Sequence, residues 1–544
     1  MEVMDKVSRY LAEHIAGEVV NDSKVREVYS RDASILQIHP SAIIYPRTID
    51  DLQKILRFSY RLADKGINVP ITARGGGTDQ TGAAIGEGLL LVFPAHMSKL
   101  FELDVKDAKV RVEAGMNFRA LQEILYTHGL HLPIFPTSYK LATIGGSIAN
   151  NASGERSIKY GYMRDFVDRL EVILSNGEII ETGRLSKHDL NKKKGLPGLE
   201  GEIYRQLDGL ISDNKELILG LSKDRISTNI GYALDKVRHQ DGSFDLTPLF
   251  VGSQGTLGVI SQAVLRAEPK APVSTLMAVA VPTRHLQPLL NKLFELKPSM
   301  IDLVDKSVFS LAEKITGRNT YKVLSNKIPD ATLLIEFDDR DAKRKKMVKK
   351  AEKIFAEHGA KFISAEEQDD KEEILSLRHI TSAIAQANFG GKVALPLLED
   401  AIIPIENIAS IIKATKALAK SKHIEVAIWG HIGSGHLTVM PFIDLARLEG
   451  RQSVVGLMES YYDKVQELGG VISGARADGR IRAPFAEKQV GKEIHELFSK
   501  VKEIFDPRGI LNPEVKLGTD VRELIKRLRV EYNLTHFSDH QPRG

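Results

Sequence analysis

The chain has 544 residues, 42% apolar and 27% charged, with a formal net charge of +4. This balance fits a folded protein of roughly two to four domains and excludes a disordered one, and so small a charge gives no reason to expect nucleic acid as a partner. Cysteine is absent, which excludes disulfides, thiolate metal sites, cysteine-ligated iron–sulfur clusters and a cysteine nucleophile. The lack of disulfides fits the cytoplasm. No stretch approaches the ~18 uninterrupted apolar residues of a membrane span, so membrane contact is left only as a peripheral association at the inner face.

In chain order, apolar residues at three- and four-residue steps predict a helix over 4–16. Ala42–Tyr45 reads as a strand ending at Pro46, and residues 48–51 open a helix with Leu52, Ile55 and Leu56 on one face. Residues 69–73 read as a buried strand that runs into a glycine triplet. Residues 89–93 and 109–114 read as strands and 117–128 as a helix. The segment 168–182 is a hairpin about Asn176-Gly177, a dipeptide suited to a type I′ turn. Residues 190–201 are polar and glycine-containing and predict a surface loop. Residues 248–267 predict strand, glycine turn and strand. After Pro269 a second α+β unit follows. Its strands are Thr275–Val281, Ala331–Phe337 and 360–365, and its helices lie near 284–297, 341–358, 402–420, 451–468 and 488–505. Residues 425–441 read as a strand broken by a glycine–histidine loop. The tail from Asp520 is charged and reads as a frayed helix.

Two loops carry chemistry. ITARGGGTDQTGAAI sets Gly75, Gly76 and Gly77 after a strand, with Arg74, Thr78 and Gly82 around them. Consecutive glycines let the backbone approach a ligand, and their N–H groups form a nest suited to phosphate oxygens. The loop is neither a Walker A loop nor the dinucleotide GxGxxG fingerprint. FPTSYKLATIGGSIANNASG follows, with Thr143, Gly145, Gly146, Ala149, Asn150 and Gly154. Its small residues let a planar ligand press on the backbone. Two such loops together point to a diphosphate cofactor.

RGGGTDQTG, PTSYKLATIGGSIANNASG, YGYMRDFVDRLEVILSNGEI, VGSQGTLGVI, WGHIGSGHL and DPRGILNPEVKLG occur in that order. In this the chain resembles the FAD-binding family of vanillyl-alcohol oxidase and p-cresol methylhydroxylase, and within it the D-2-hydroxy-acid dehydrogenases. The resemblance implies an α+β fold: a two-subdomain FAD-binding domain over 1–270, an α+β cap with an antiparallel sheet over 271–480, and a C-terminal return with a charged tail over 481–544. It implies that Arg74–Thr78, Gly82, Pro136, Thr143, Gly145, Gly146, Ala149, Asn150 and Gly154 line the FAD. Tyr160 and Gly161 close the site, Gly255, Gly258 and Ile260 border it, and Asn512 reaches the flavin from the C-terminal return. Non-covalent FAD is expected, because Thr78 follows the glycines and there is no cysteine. Gln254 stands where many hydroxy-acid relatives have glutamate.

At the substrate end, Arg378 takes the place of an arginine facing a substrate carboxylate, a role that suits its planar fork. Lys392 is a lesser candidate. The family motif Gly-His-x-Gly-Asp-Gly-Asn-Leu-His and a later Glu-His-Gly can hold a metal and a base. Here GHIGSGHLT keeps His431, puts Ser434 and His436 at the aspartate and asparagine, and puts Thr438 at the second histidine. Ala475 and Arg476 replace the Glu-His pair. No metal is expected. His431 or His436 serves as base, and Arg476 makes the pocket positive. The implied function is oxidation of a D-2-hydroxy acid, lactate- or glycolate-like, by hydride transfer to flavin N5, with a quinone, cytochrome or iron–sulfur protein as external acceptor. An alcohol or polyol oxidoreductase and a non-catalytic electron-relay subunit are the alternatives.

Overall fold

Leu89 to Val92 are apolar without interruption, the pattern of a strand covered on both faces, and all of them are buried. In the computed structural model, which describes residues 2–221, 229–317 and 319–532, this strand lies between Ala42–Tyr45 and Ile71–Arg74. It is parallel to both, and Glu18–Val20 runs antiparallel at the edge. Thr48 and Asp51 cap the helix Ile49–Ala63 reciprocally, satisfying backbone donors at its first turn. That fixes the entry angle that buries Leu52, Ile55 and Leu56.

A five-stranded antiparallel sheet follows, in the order Leu100–Asp104, Lys109–Glu113, Val259–Arg266, Val167–Ile173, Ile179–Glu181. The predicted hairpin is its outer pair. Gly177 takes φ 83° in the turn, a left-handed value open to glycine.

The largest sheet has nine strands and is antiparallel. Its path runs Lys361–Ala365, Thr275–Val281, Ala331–Phe337, Met300–Asp305, Val426–Gly430, His436–Ile443, Lys392–Ala394, Asn388–Phe389, and Leu398–Ile402 also pairs with His436–Ile443. Alternate residues of Thr275–Val281 enter different cores, as the period of two requires. Met277 and Val279 pack with Leu289 of Leu286–Glu295 and Phe355 of Asp341–Glu357. Leu276 and Ala278 pack with Phe309 of Lys306–Thr316 and Leu377 of Gln368–Ala385. Among the described residues no helix is long and apolar enough to cross a membrane.

Three expectations change. Residues 190–201 are not a loop. All but 195–197 belong to the helices Lys187–Lys194, capped by Ser186 on the Asp189 N–H, and Gly198–Asp213. The first half of 248–267 is the short helix Thr247–Phe250 rather than a strand. The helix expected over 488–505 is two, Gly479–Val490 and Lys492–Phe505, broken at Gly491 with φ 84°. In the tail, Val521–Lys526 is helical and capped by Asp520, while the tail beyond 532 lies outside the described residues.

Candidate active site

The first glycine loop leaves the C-terminal end of the strand Ile71–Arg74 and meets the second head-on. A Cβ on Gly75 would stand 2.2 Å from the Thr143 hydroxyl, and one on Gly76 would stand 2.1 Å from the Leu141 carbonyl. Only glycine permits that approach. Thr143 caps the turn Ile144–Ala149 by accepting from the Gly146 N–H at 3.1 Å. Among the described residues, the N–H groups of Gly75, Gly76, Gly77 and Thr78 donate to no protein acceptor, so they remain free for an anionic ligand.

Between the loops lies a cavity of about 420 Å³. Of the residues expected to hold FAD, Arg74, Gly75, Gly76, Gly77, Thr78, Pro136, Thr143, Gly145, Gly146, Ala149, Asn150, Gly255, Gly258 and Ile260 line it. Arg74 folds back under its own loop, donating to the Ala84 carbonyl at 3.1 Å with its guanidinium 5.2 Å from the Tyr29 ring. Burial lowers its pKa.

Gly82, Gly154, Tyr160, Gly161 and Asn512 stand outside the lining. Tyr160 instead donates to Asp338 at 2.7 Å. Gly161, with φ 81°, sits against Asp165. The Asn512 amide donates to the carbonyls of Ala83 at 2.9 Å and Gln254 at 2.7 Å, and its oxygen accepts from Thr72 at 3.0 Å. It clamps the loops from behind.

A polar chain stiffens the cradle. Asp79 accepts from the Ala83 N–H at 2.8 Å and the Asn150 amide at 3.0 Å. Gln254 donates to Asn150 at 2.7 Å and Thr81 at 3.0 Å, and accepts from the Gly479 N–H at 2.8 Å. A carboxylate only accepts, so glutamine at 254 suits a position that must do both.

The other end of the cavity comes from the large sheet and the segment after it. His431 follows Val426–Gly430, and a short turn closed by Gly435, φ 80°, brings back His436. Both histidines and Arg476 line the cavity, and the imidazole centroids are 5.6 Å apart. His431 pairs through Nδ1 with Asp302 Oδ1 at 2.8 Å. His436 is buried with neither ring nitrogen partnered. Burial, with the nearby His431, pulls its pKa down to about 3, so it stays neutral.

The arginines are committed elsewhere. Arg378, on Gln368–Ala385, does not line the cavity. It bonds Asp302 Oδ2 at 2.7 Å and also Glu155. Burial would raise Glu155, but Arg378 and Arg156 outweigh it and hold the carboxyl down at about 2. Arg476 bonds Glu399 at 3.0 Å, Asp400 at 2.8 Å and Gln80 of the first loop. Burial pushes Glu399 up to about 7 against the pull of Arg476. Burial would raise Asp400 too, but Arg476 and Arg482 hold it low. Lys392 is exposed on its strand, away from the lining. Thr438 and Ala475 stand buried at the rewritten ligand positions.

Sequence reasoning missed Asp302, Glu155, Asp79 and Gln80. Asp302 carried a signal: it is a charged residue between Ile301 and Leu303 in the strand Met300–Asp305, and such a residue is rarely fully buried unless partnered.

Residues 40–183 match the family described as FAD binding domain, and residues 280–515 the family described as FAD linked oxidases, C-terminal domain. The chain is 29% identical over 509 residues to the glycolate oxidase subunit GlcD of Bacillus subtilis, covering 92% of this chain and 94% of that protein. It is 29% identical over 538 residues to D-2-hydroxyglutarate dehydrogenase of Haemophilus influenzae, covering 94% of this chain but 51% of that protein, so it spans about half that relative's length. With D-lactate dehydrogenase of Archaeoglobus fulgidus it shares 28% identity, covering 89% and 91% of the two chains. Among solved structures, 4-ethylphenol oxidase from Gulosibacter chungangensis aligns with TM-score 0.70 at 17% identity, covering 96% of this chain and 98% of that one. p-Cresol methylhydroxylase aligns with TM-score 0.68 at 13% identity, covering 95% and 97%. These two likenesses concern the fold. The free N–H nest and glycine-tight walls fit the diphosphate of FAD. With both domain matches, the chain is an FAD-linked oxidoreductase that carries the FAD binding domain and the C-terminal domain of the FAD linked oxidases, on a fold shared with p-cresol methylhydroxylase.

Proposed function

We propose that the chain oxidises a small D-2-hydroxy acid, lactate- or glycolate-like, to the 2-oxo acid. The observation that carries this is His431: an imidazole on the cavity wall whose Nδ1 is committed to a buried carboxylate, leaving Nε2 for the substrate. The relatives named for hydroxy acids supply the substrate class.

Oxidation of a hydroxyl carbon removes one hydride and one proton. Bound FAD supplies the hydride acceptor, held non-covalently, since Thr78 and not a histidine follows the glycine triplet and the chain has no cysteine. Gly75 to Thr78 and the Gly146 turn hold its diphosphate. His431 takes the hydroxyl proton at Nε2. His436, neutral and unpartnered, orients the substrate by a hydrogen bond. Arg476 offers the spare N–H groups of its fork to a carboxylate. Electrons leave to a separate quinone, cytochrome or iron–sulfur protein.

The paired arginines favour a second reading, a neutral alcohol or polyol, because Arg378 and Arg476 both already face carboxylates. Anaerobic addition of D-lactate, glycolate, D-2-hydroxyglutarate and polyols to the yellow protein separates the two. Bleaching by a monocarboxylic hydroxy acid is expected. Bleaching by polyols alone would transfer the conclusion to the second reading.

A further inference from the structure

We infer that Asp302, anchored by Arg378, is a positioning residue that fixes the tautomer and aim of His431. As a statement about catalysis this rests on His431 being the proton acceptor. As a statement about the imidazole it stands alone.

Asp302 lies in the strand Met300–Asp305, only 1% exposed. Each carboxylate oxygen has its own donor: Oδ2 takes Arg378 at 2.7 Å and Oδ1 takes His431 Nδ1 at 2.8 Å. An ionised carboxylate only accepts, so Nδ1 must carry the imidazole proton and Nε2 must carry the lone pair. A neutral histidine side chain free in water favours the opposite tautomer, which has nothing at Nε2 to receive a proton. His436 has no such anchor, since both its nitrogens are unpartnered, and nothing sets its tautomer.

Charge runs the same way. Arg378 is shared by Asp302 and Glu155, so the three side chains carry one excess negative charge. Arg156 beside Glu155 is matched by Glu336 at 2.8 Å. When the substrate O–H bond breaks and its proton binds Nε2, the imidazolium makes the group neutral. In the same event the carbon is oxidised by two electrons, its hydride going to the bound flavin. Arg378 therefore acts on the carboxylate that holds the base, and its place in the reaction is one shell further from the substrate than its sequence position implied.

Isotope-labelled histidine tests the assignment without turnover. At mildly alkaline pH, the His431 resonances, identified by their loss in His431→Gln, should show a protonated Nδ1 and a bare Nε2. Asp302→Asn should shift them toward the other tautomer. In anaerobic stopped flow, Asp302→Asn should slow flavin reduction about a hundredfold or more with substrate affinity little changed, and Asp302→Glu should recover part of the loss. Adding Asp302→Asn to His431→Gln should cost almost nothing further, because the two act as one unit. A protonated Nε2 in the wild-type protein, or full additivity in the double variant, would overturn the inference. If Asp302→Asn fails to fold, the wild-type spectrum and Asp302→Glu decide. If no hydroxy acid bleaches the flavin while the spectrum is as expected, the substrate reading falls and the positioning role stands.

Discussion

Where residues 74–82 meet residues 141–146, backbone approaches backbone. Around His431 and Arg476, charged side chains approach charged side chains. In the first region every ångström is set by what is missing: a Cβ at Gly76 would already overlap the Leu141 carbonyl. In the second it is set by what is present, a run of carboxylates and guanidiniums that share partners, with His431 at one end. A backbone cradle binds any ligand with the right phosphates and tolerates little change. A side-chain site can be rewritten residue by residue while the fold stands: Thr438 and Ala475 take the places where the resemblance implies metal ligands, and Arg476 the place where it implies the base.

The contrast can be broken most forcefully at Gly76. Gly76→Val should abolish flavin binding, read as loss of yellow absorbance in protein that is still folded. A stoichiometric flavin content would show that the loops are not the cradle. Next is Arg378→Ala, which leaves the buried Glu155 and Asp302 without the guanidinium they share. A loss of about 3–5 kcal/mol is expected in urea unfolding, and a change near zero would mean the pairing is not maintained in solution.

Acid sensitivity comes third. Burial, with the Arg156 charge, lowers His131 from 6.5 to about 4. The folded state keeps it neutral while the unfolded chain takes up a proton below pH 6.5. Stability is therefore full above that pH and falls as the pH drops toward about 4, by roughly 3 kcal/mol at most. His131→Leu should flatten that limb, and His436 should keep part of it, because its shift has the same sign. An unchanged acid limb in His131→Leu would show that His131 titrates normally. The smallest effect is at Gln254→Glu, where a group that must donate to Asn150 and Thr81 becomes an acceptor. About 1–3 kcal/mol of stability should be lost, and some should return at low pH as the carboxyl regains a proton. Equal stability at neutral pH would mean the donor role is dispensable.

What could be read from the chain follows the same division. The strands Thr275–Val281 and Ala331–Phe337 and the hairpin at Asn176-Gly177 were legible because apolar runs and turn chemistry are local. Residues 190–201 misled because lysine and glycine mimic a loop, while the evidence for a helix lay in the Ser186 cap and in Leu199, Ile203 and Tyr204 packing inward. Arg378 was visible as an arginine, but its partner Asp302 is 76 residues away, and only the sheet brings them together. Arg476 meets Gln80 across 396 residues. Pairings at that separation leave no trace in local pattern.

The clamp at Asn512 sets an order of events in the cell. Its amide closes on the Ala83 carbonyl, 429 residues earlier in the chain. During translation both glycine loops emerge long before the group that braces them. A ribosome paused short of residue 512 holds a chain with both glycine loops and no finished grip on the cofactor. Flavin loading therefore waits for residue 512, and a truncation just before Asn512 should leave a colourless protein with both glycine loops intact.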